Sequence, residues 1–205
     1  MNCTKNWWRN ADWKTMRYEI RLAGSGGQGV IIAGTILAEA GIFEGYHVVQ
    51  TQNYGPEARG GTSASDVILS YAEIDYPKTL GLDILLAFNQ RACDENLRDM
   101  KHQGLVIVDA DLVNYVFWGN VVRAPFSRLS QKKYKEQKFA NMLAIGVLAP
   151  LSPWFSSRTI YRAISQRMPQ GTIQLNLAAF REGIKLGKAL KKTTTFQEIE
   201  GPAEV

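Results

Sequence analysis

The chain has 205 residues, a net charge of +5, 45% hydrophobic residues and two cysteines, Cys3 and Cys93. That length suits one domain with a real core, and no run of about 18 apolar residues is present to cross a membrane. Two cysteines make neither a disulfide framework nor the four thiolates of a cubane iron–sulfur cluster, and His47 and His102 lack ligand spacing, so no metal is expected on this chain.

Residues 1–16 read as an N-terminal extension, with Trp7, Trp8 and Trp13 set among polar residues. They contain no apolar segment of the kind a secretory signal needs, and a cytoplasmic location is the expectation. A single α/β domain is expected over 17–192, followed by a tail over 193–205. Strand character covers about 17–23, and a helix is predicted over about 29–41, bracketed by Gly41 and Gly45. Tyr46 to Gln50 reads as a short second strand, 51–61 as a polar loop, and Thr62 to Ser70 as a third strand. Asp83 to Phe88 is a buried strand, and Asn89 is placed to cap a helix from Gln90 to Lys101. Strands follow at Leu105–Asp109 and Val121–Ala124.

The remainder is helical. Lys138 to Ala149 is predicted to stop at Pro150, Ser157 or Thr159 to start a helix reaching Arg167, and Gln174 to Lys191 to form a third. Late lysines, among them Lys132, Lys133, Lys188 and Lys192, come with no nucleic-acid motif and read as solvated helix faces. The predicted fold is α/β: an open, mainly parallel, Rossmann-like sheet with helices on both faces and a C-terminal helical segment.

Gly24-Ser25-Gly26-Gly27-Gln28-Gly29 follows the first strand and opens the first helix. Gly24, Gly26 and Gly29 satisfy G-x-G-x-x-G in the strand–helix context that aims backbone N–H groups at a phosphate. Gly24 is assigned to the tight turn, Gly26 to close backbone approach and Gly29 to helix–strand packing. A dinucleotide enzyme also needs a carboxylate after the second strand. Here that region reads Gln50-Thr51-Gln52, with none before Glu57. Val30 and Ile31 stand where a nucleoside-triphosphate loop carries Lys and Ser or Thr.

The second loop is Tyr54-Gly55-Pro56-Glu57-Ala58-Arg59-Gly60-Gly61. Gly55-Pro56 turns the chain, Gly60-Gly61 admits close approach, and Arg59 is a fixed cation for phosphate or carboxylate. In a parallel sheet both loops leave by the carboxyl edge and face one another. Tyr54 suits stacking on a ligand or packing of the turn. Glu57 suits an ion pair with Arg59, a partner contact or solvent. Asp109 is read as a turn cap, Asn141 as a structural hydrogen-bonder and Cys93 as a core or surface residue without a base beside it.

With these two loops the chain resembles the gamma subunit, or gamma domain, of 2-oxoacid:ferredoxin (acceptor) oxidoreductases. Further matching stretches are Glu73 to Pro77, Phe88-Asn89-Gln90, Asn141 to Gly146 and Asn176 to Gly183, so that about 18–187 is covered. The wording of the second loop is most similar to the 2-oxoglutarate branch. The resemblance implies a multi-subunit enzyme that decarboxylates a 2-oxoacid, reduces ferredoxin or another acceptor and transfers the acyl group to coenzyme A. It implies alpha and beta partner subunits, leaving a delta subunit and a homodimer of the isolated chain open. Thiamine diphosphate, magnesium and the iron–sulfur cluster are implied on the partners, and coenzyme A is implied as shared. No nucleic acid, membrane insertion or catalytic residue is expected of this chain. The resemblance places coenzyme A phosphates at Gly24, Ser25, Gly26, Gly27, Gln28 and Gly29, with Arg59, Gly60 and Gly61 completing the cleft. Tyr54, Gly55, Pro56 and Glu57 border it or meet a partner. Open alternatives are a pyruvate, branched-chain or indolepyruvate enzyme, an assembly subunit without ligand, and an NAD-type dinucleotide-binding protein.

Overall fold

Tyr18, Ile20 and Leu22 point to one side of the first strand and Glu19, Arg21 and Ala23 to the other, and this alternation carries across the sheet. The computed structural model describes residues 17–55 and 61–193. The strands are β1 (Arg17–Ser25), β2 (His47–Tyr54), β3 (Thr62–Ser70), β4 (Leu82–Ala87), β5 (Met100–Asp109) and β6 (Val121–Ala124). The α-helices are α1 (Val30–Phe43), α2 (Gln90–Asn96), α3 (Phe126–Tyr134), α4 (Ala140–Leu151), α5 (Ser157–Arg167) and α6 (Ile173–Thr193). The sheet order is β2-β3-β1-β4-β5-β6. β1, β4, β5 and β6 are parallel, and β3 lies antiparallel between β1 and β2. β2 therefore runs in the same direction as β1, and the loops leaving both strands meet at one edge.

One face of the sheet carries an apolar core. Ile20, Leu22, Leu69, Ile84, Leu86 and Ile107 pack there against α1, α3, α4, α5 and α6. α4 is buried from Ala140 through Ala149, as an all-round apolar helix must be. It meets α6 backbone to backbone: a methyl added at Gly183 would lie 2.2 Å from the Leu143 carbonyl oxygen. The other face is thin. α2 and the loop before β6 cover its β4–β5 half with Ala92, Cys93 and Val113.

Charge holds the rest of the thin face. Arg21 makes a two-pronged pair with Asp66, Nε to Oδ1 at 2.6 Å and Nη2 to Oδ2 at 2.9 Å. Its remaining donors reach Asp99, Asn96 and Thr79. Glu19, buried, accepts from Arg17 and from the Leu80 and Gly81 N–H groups. Arg17 also donates to the Tyr76 and Lys78 carbonyls, so the crossing into β4 is strapped over this face.

The structure departs from the sequence expectation in four places. Thr51 to Tyr54 are strand, not loop, because each pairs with β3 from Asp66 to Ser63. The helix expected through Lys101 ends at Asn96, where the Asn96 side chain bonds the Ala92 carbonyl and Arg21 takes its Oδ1. Leu97–Asp99 is a 3-10 turn, and Met100 already belongs to β5. α3 was not foreseen: Pro125 opens a helix as well as ending a strand. α4 starts at Ala140, after a 3-10 turn over Gln137–Phe139, and passes through Pro150 to Leu151. The tryptophan-rich extension of 1–16 and the tail from 194 onward lie outside the described residues. No helix among the described residues is long and apolar enough to cross a membrane.

Candidate functional site

The carboxyl edge of β1 is shaped by glycine at three different positions for three different reasons. Gly24 still belongs to β1, and an added Cβ would meet Gln28 Oε1 at 2.5 Å, with Phe88 and Val30 at 3.1 Å. It therefore serves packing, not the turn assigned to it. The turn belongs to Gly27 and Gly29, with φ of 91° and 70°. Gly29 also has no room for a side chain, since Asn141 Nδ2 lies 2.2 Å from where its Cβ would be. Gly26 has neither constraint: among the described residues nothing lies within 4 Å of an added Cβ, and its φ is not positive.

The loop is braced from inside. Gln28 Oε1 accepts from the Ser25 N–H at 2.7 Å, and the Gln28 N–H donates to the Ser25 carbonyl. Asn89 Nδ2 donates to Ser25 Oγ at 2.9 Å and to Gln28 Oε1 at 3.3 Å, while its Oδ1 caps α2 through the Ala92 N–H. Asn141 donates to the Gly29 carbonyl at 3.1 Å. Gly29 caps α1 without any side chain, so the N–H groups of the first helical turn stay directed at the loop's mouth.

The second loop is anchored to the first. Gly26 N–H donates to the Gly61 carbonyl at 3.1 Å, extending the β1–β3 ladder beyond Ser25–Thr62. Gly55 N–H donates to the Thr62 carbonyl, and a side chain at Gly55 would strike Thr62 Oγ1. The two stems of the second loop thus stand at this edge, one bonded to the glycine loop. Pro56, Glu57, Arg59 and Gly60, predicted as site residues, lie outside the described residues. Tyr54 is 68% exposed beside them. A cavity of about 220 Å³, bordered by Arg21, Gly24, Asn53, Tyr54, Gly55 and Thr62, opens on the thin face next to the loops.

Other candidate residues are accounted for within the fold. Gln50 is turned into α1, bonding Thr35 and Ser65, and β2 runs to Tyr54 without a carboxylate. Asp109 is fully buried and accepts from the Ser127 N–H and hydroxyl and the Asp111 N–H, which fixes the start of α3. Burial pushes its carboxyl up, against these hydrogen bonds. Burial likewise pushes the Cys93 thiol up to about 11, with Asp94 adding to it and Arg123 opposing, so it is a core residue and not a nucleophile. No cluster of three metal-ligating side chains occurs among the described residues.

Sequence reasoning missed the bracing role of Asn89, read only as a helix cap, and named no partner for Asn141. The available signal was a polar residue opening a helix straight after an apolar strand, within a stretch carried by the resemblance.

Residues 19–186 match the family model described as pyruvate ferredoxin/flavodoxin oxidoreductase. The 2-oxoglutarate synthase subunit KorC of Methanocaldococcus jannaschii is 42% identical over 180 residues, 85% of this chain and 96% of that one. The keto/oxoacid ferredoxin oxidoreductase gamma subunit of Geobacter sulfurreducens superposes with a TM-score of 0.78 at 38% identity, covering 85% of this chain and 98% of that one. The 2-oxoglutarate:ferredoxin oxidoreductase of Magnetococcus marinus, solved with 2-oxoglutarate, coenzyme A and succinyl-CoA bound, superposes at 0.75 with 27% identity. It is matched over 85% of this chain and 31% of that one.

Proposed function

The chain belongs to the pyruvate ferredoxin/flavodoxin oxidoreductase family, and on that premise we propose that it is the gamma subunit of a 2-oxoglutarate:ferredoxin (acceptor) oxidoreductase. The complex converts a 2-oxoacid, coenzyme A and oxidised acceptor to acyl-CoA, carbon dioxide and reduced acceptor. Alpha and beta subunits carry thiamine diphosphate, magnesium and the iron–sulfur cluster, and this chain is inactive alone. Cys93, buried with a raised thiol pKa, is unsuited to ligate a cluster.

Coenzyme A fits the chemistry of the paired loops. Its phosphates suit the positive end of α1 with the Gly27 and Gly29 N–H groups beside it. No described residue crowds Gly26, which leaves room for a phosphate to approach the backbone. Ser25, Gln28 and Gly24 keep the loop in shape, and Arg59, Gly60 and Gly61 close the cleft from the second loop. Tyr54 and Gly55 border the cavity, and Pro56 and Glu57 are assigned to the cleft or to a partner contact. Bound coenzyme A supplies the thiol that accepts the acyl group. The chain's own contribution is to hold the phosphates so that this thiol reaches a neighbouring subunit's active site, which makes the transfer effectively intramolecular.

The single observation that carries the site assignment is the Gly26 N–H to Gly61 carbonyl bond, which joins the glycine loop to the loop holding Arg59. In the reconstituted complex, Arg59→Ala should raise the KM for coenzyme A at least about tenfold, the scale of one charge-assisted contact, and leave that for the 2-oxoacid nearly unchanged. Unchanged coenzyme A kinetics would remove Arg59 from the cleft. A panel of 2-oxoacids tests substrate choice: preference for pyruvate, a branched-chain 2-oxoacid or indolepyruvate would move the chain to another branch of the family.

A further inference from the structure

The sheet ends in two unlike edges. β6 has 4 residues, whereas β2 has 8 and pairs with β3 in unbroken register from His47–Ser70 to Tyr54–Ser63. An edge strand turns the N–H and C=O of alternate residues outward. Among the described residues, residues 48–53 make no backbone–backbone hydrogen bond outside their pairing with β3. The usual devices that blunt an edge are missing: β2 has no proline, no lysine or arginine, no carboxylate and no bulge. Its outward end carries Gln52, Asn53 and Tyr54, all exposed.

We infer that the β2 edge pairs with the β2 edge of a second copy of this chain, antiparallel across a two-fold axis, so that two six-stranded sheets become one. This goes beyond the assignment of the ligand site and does not depend on it. Isologous pairing brings a strand against itself, and the absence of Lys, Arg, Asp and Glu from β2 removes the repulsion that would oppose it. An axis through Thr51 sets Thr51 against Thr51, Val49 against Asn53, Gln50 against Gln52 and Val48 against Tyr54. Residues set opposite then point to the same face of the sheet, as antiparallel pairing requires. The Val48–Tyr54 pairs place an exposed aromatic ring over a partly buried β-branched side chain at each end of the seam.

The test uses the purified full chain. Sedimentation equilibrium should give a dimer, and Thr51→Lys, which sets two ammonium groups against each other at the axis, should weaken it at least about tenfold, with circular dichroism unchanged. Cys93 is buried, so a Cys3→Ser, Thr51→Cys chain can be spin-labelled at the axis alone; strong dipolar broadening, lost on dilution with unlabelled chain, is expected. A monomeric wild-type chain overturns the inference, as does a dimer indifferent to Thr51→Lys and without broadening. A monomer whose Thr51→Lys variant fails to join the alpha and beta subunits also overturns it, and gives the edge to a partner's strand.

Discussion

The two faces of the sheet are held by different physics. On one face five helices bury aliphatic and aromatic side chains such as Leu22, Leu69, Leu143 and Phe180, and each fully buried side chain of this size contributes about 1.5–3 kcal/mol. On the other, α2 covers one half, and the rest is closed by a strap tied down through Arg17, Glu19, Arg21 and Asp66. Apolar packing is insensitive to the exact angle of each contact. A two-pronged guanidinium–carboxylate pair is not, and it fixes β1, β3 and the strap in one relative position. The candidate site lies where these halves meet, at the carboxyl ends of β1 and β2 and the amino end of β3. The thick face makes the chain fold, and the thin face sets the geometry of the edge that carries the glycine loop.

Substitutions on the two faces should therefore fail differently. Phe180→Ala, at the α4–α6 contact, should cost about 3–5 kcal/mol in urea unfolding, because the helices cannot collapse into the space. On the thin face, Asp66→Ala leaves the Arg21 guanidinium partly unpaired in a largely buried place and should cost about 3 kcal/mol. The double change Arg21→Met, Asp66→Leu should recover most of that loss. If it does not, the ion network contributes stability beyond position, and the contrast between the faces weakens. Gly29→Ala should cost about 1–2 kcal/mol from its left-handed backbone alone, with the Asn141 clash adding to it.

The smallest expected effect is a pH dependence confined to the thin face. Burial pushes the Asp83 carboxyl up, with Lys101 pulling it the other way. The folded chain then binds that proton more tightly than the unfolded chain does. Stability falls as pH rises from the ordinary Asp value of about 3.9 through the raised folded value, and stays reduced above it. Asp83→Asn should flatten this part of the melting temperature profile. An unchanged profile would show that Lys101 fully offsets the burial.

Much of this was legible from residues alone. The alternation in β1, the buried runs of β4 and β5, and both glycine-rich loops carry local signals of period or backbone freedom. β2 beyond Gln50 gave no such signal: Thr51, Gln52, Asn53 and Tyr54 are polar, and only pairing with β3 makes them strand. The early end of α2 was hidden for the same reason, since Arg21, distant in sequence, holds Asn96 and Asp99. α3 was obscured because Pro125 serves as a stop and as a start. In the site, the resemblance located the loops but not their division of labour. That Gln28 braces the loop from within, that Gly24 packs where a turn was expected, and that Asn89 links the loop to α2 are facts of side-chain direction, which spacing does not encode.

Gly26 offers the most direct test of the central claim, because its substitution meets no clash with the described residues and its φ is not positive. Coenzyme A is titrated calorimetrically into the reconstituted complex with wild-type chain and with Gly26→Asp. A carboxylate set among the phosphates should weaken binding at least about tenfold while leaving the melting temperature of the chain and the KM for the 2-oxoacid in place. Coenzyme A binding that is unchanged by Gly26→Asp would contradict the assignment of the glycine loop as a phosphate cradle, and would leave these loops as contacts between subunits.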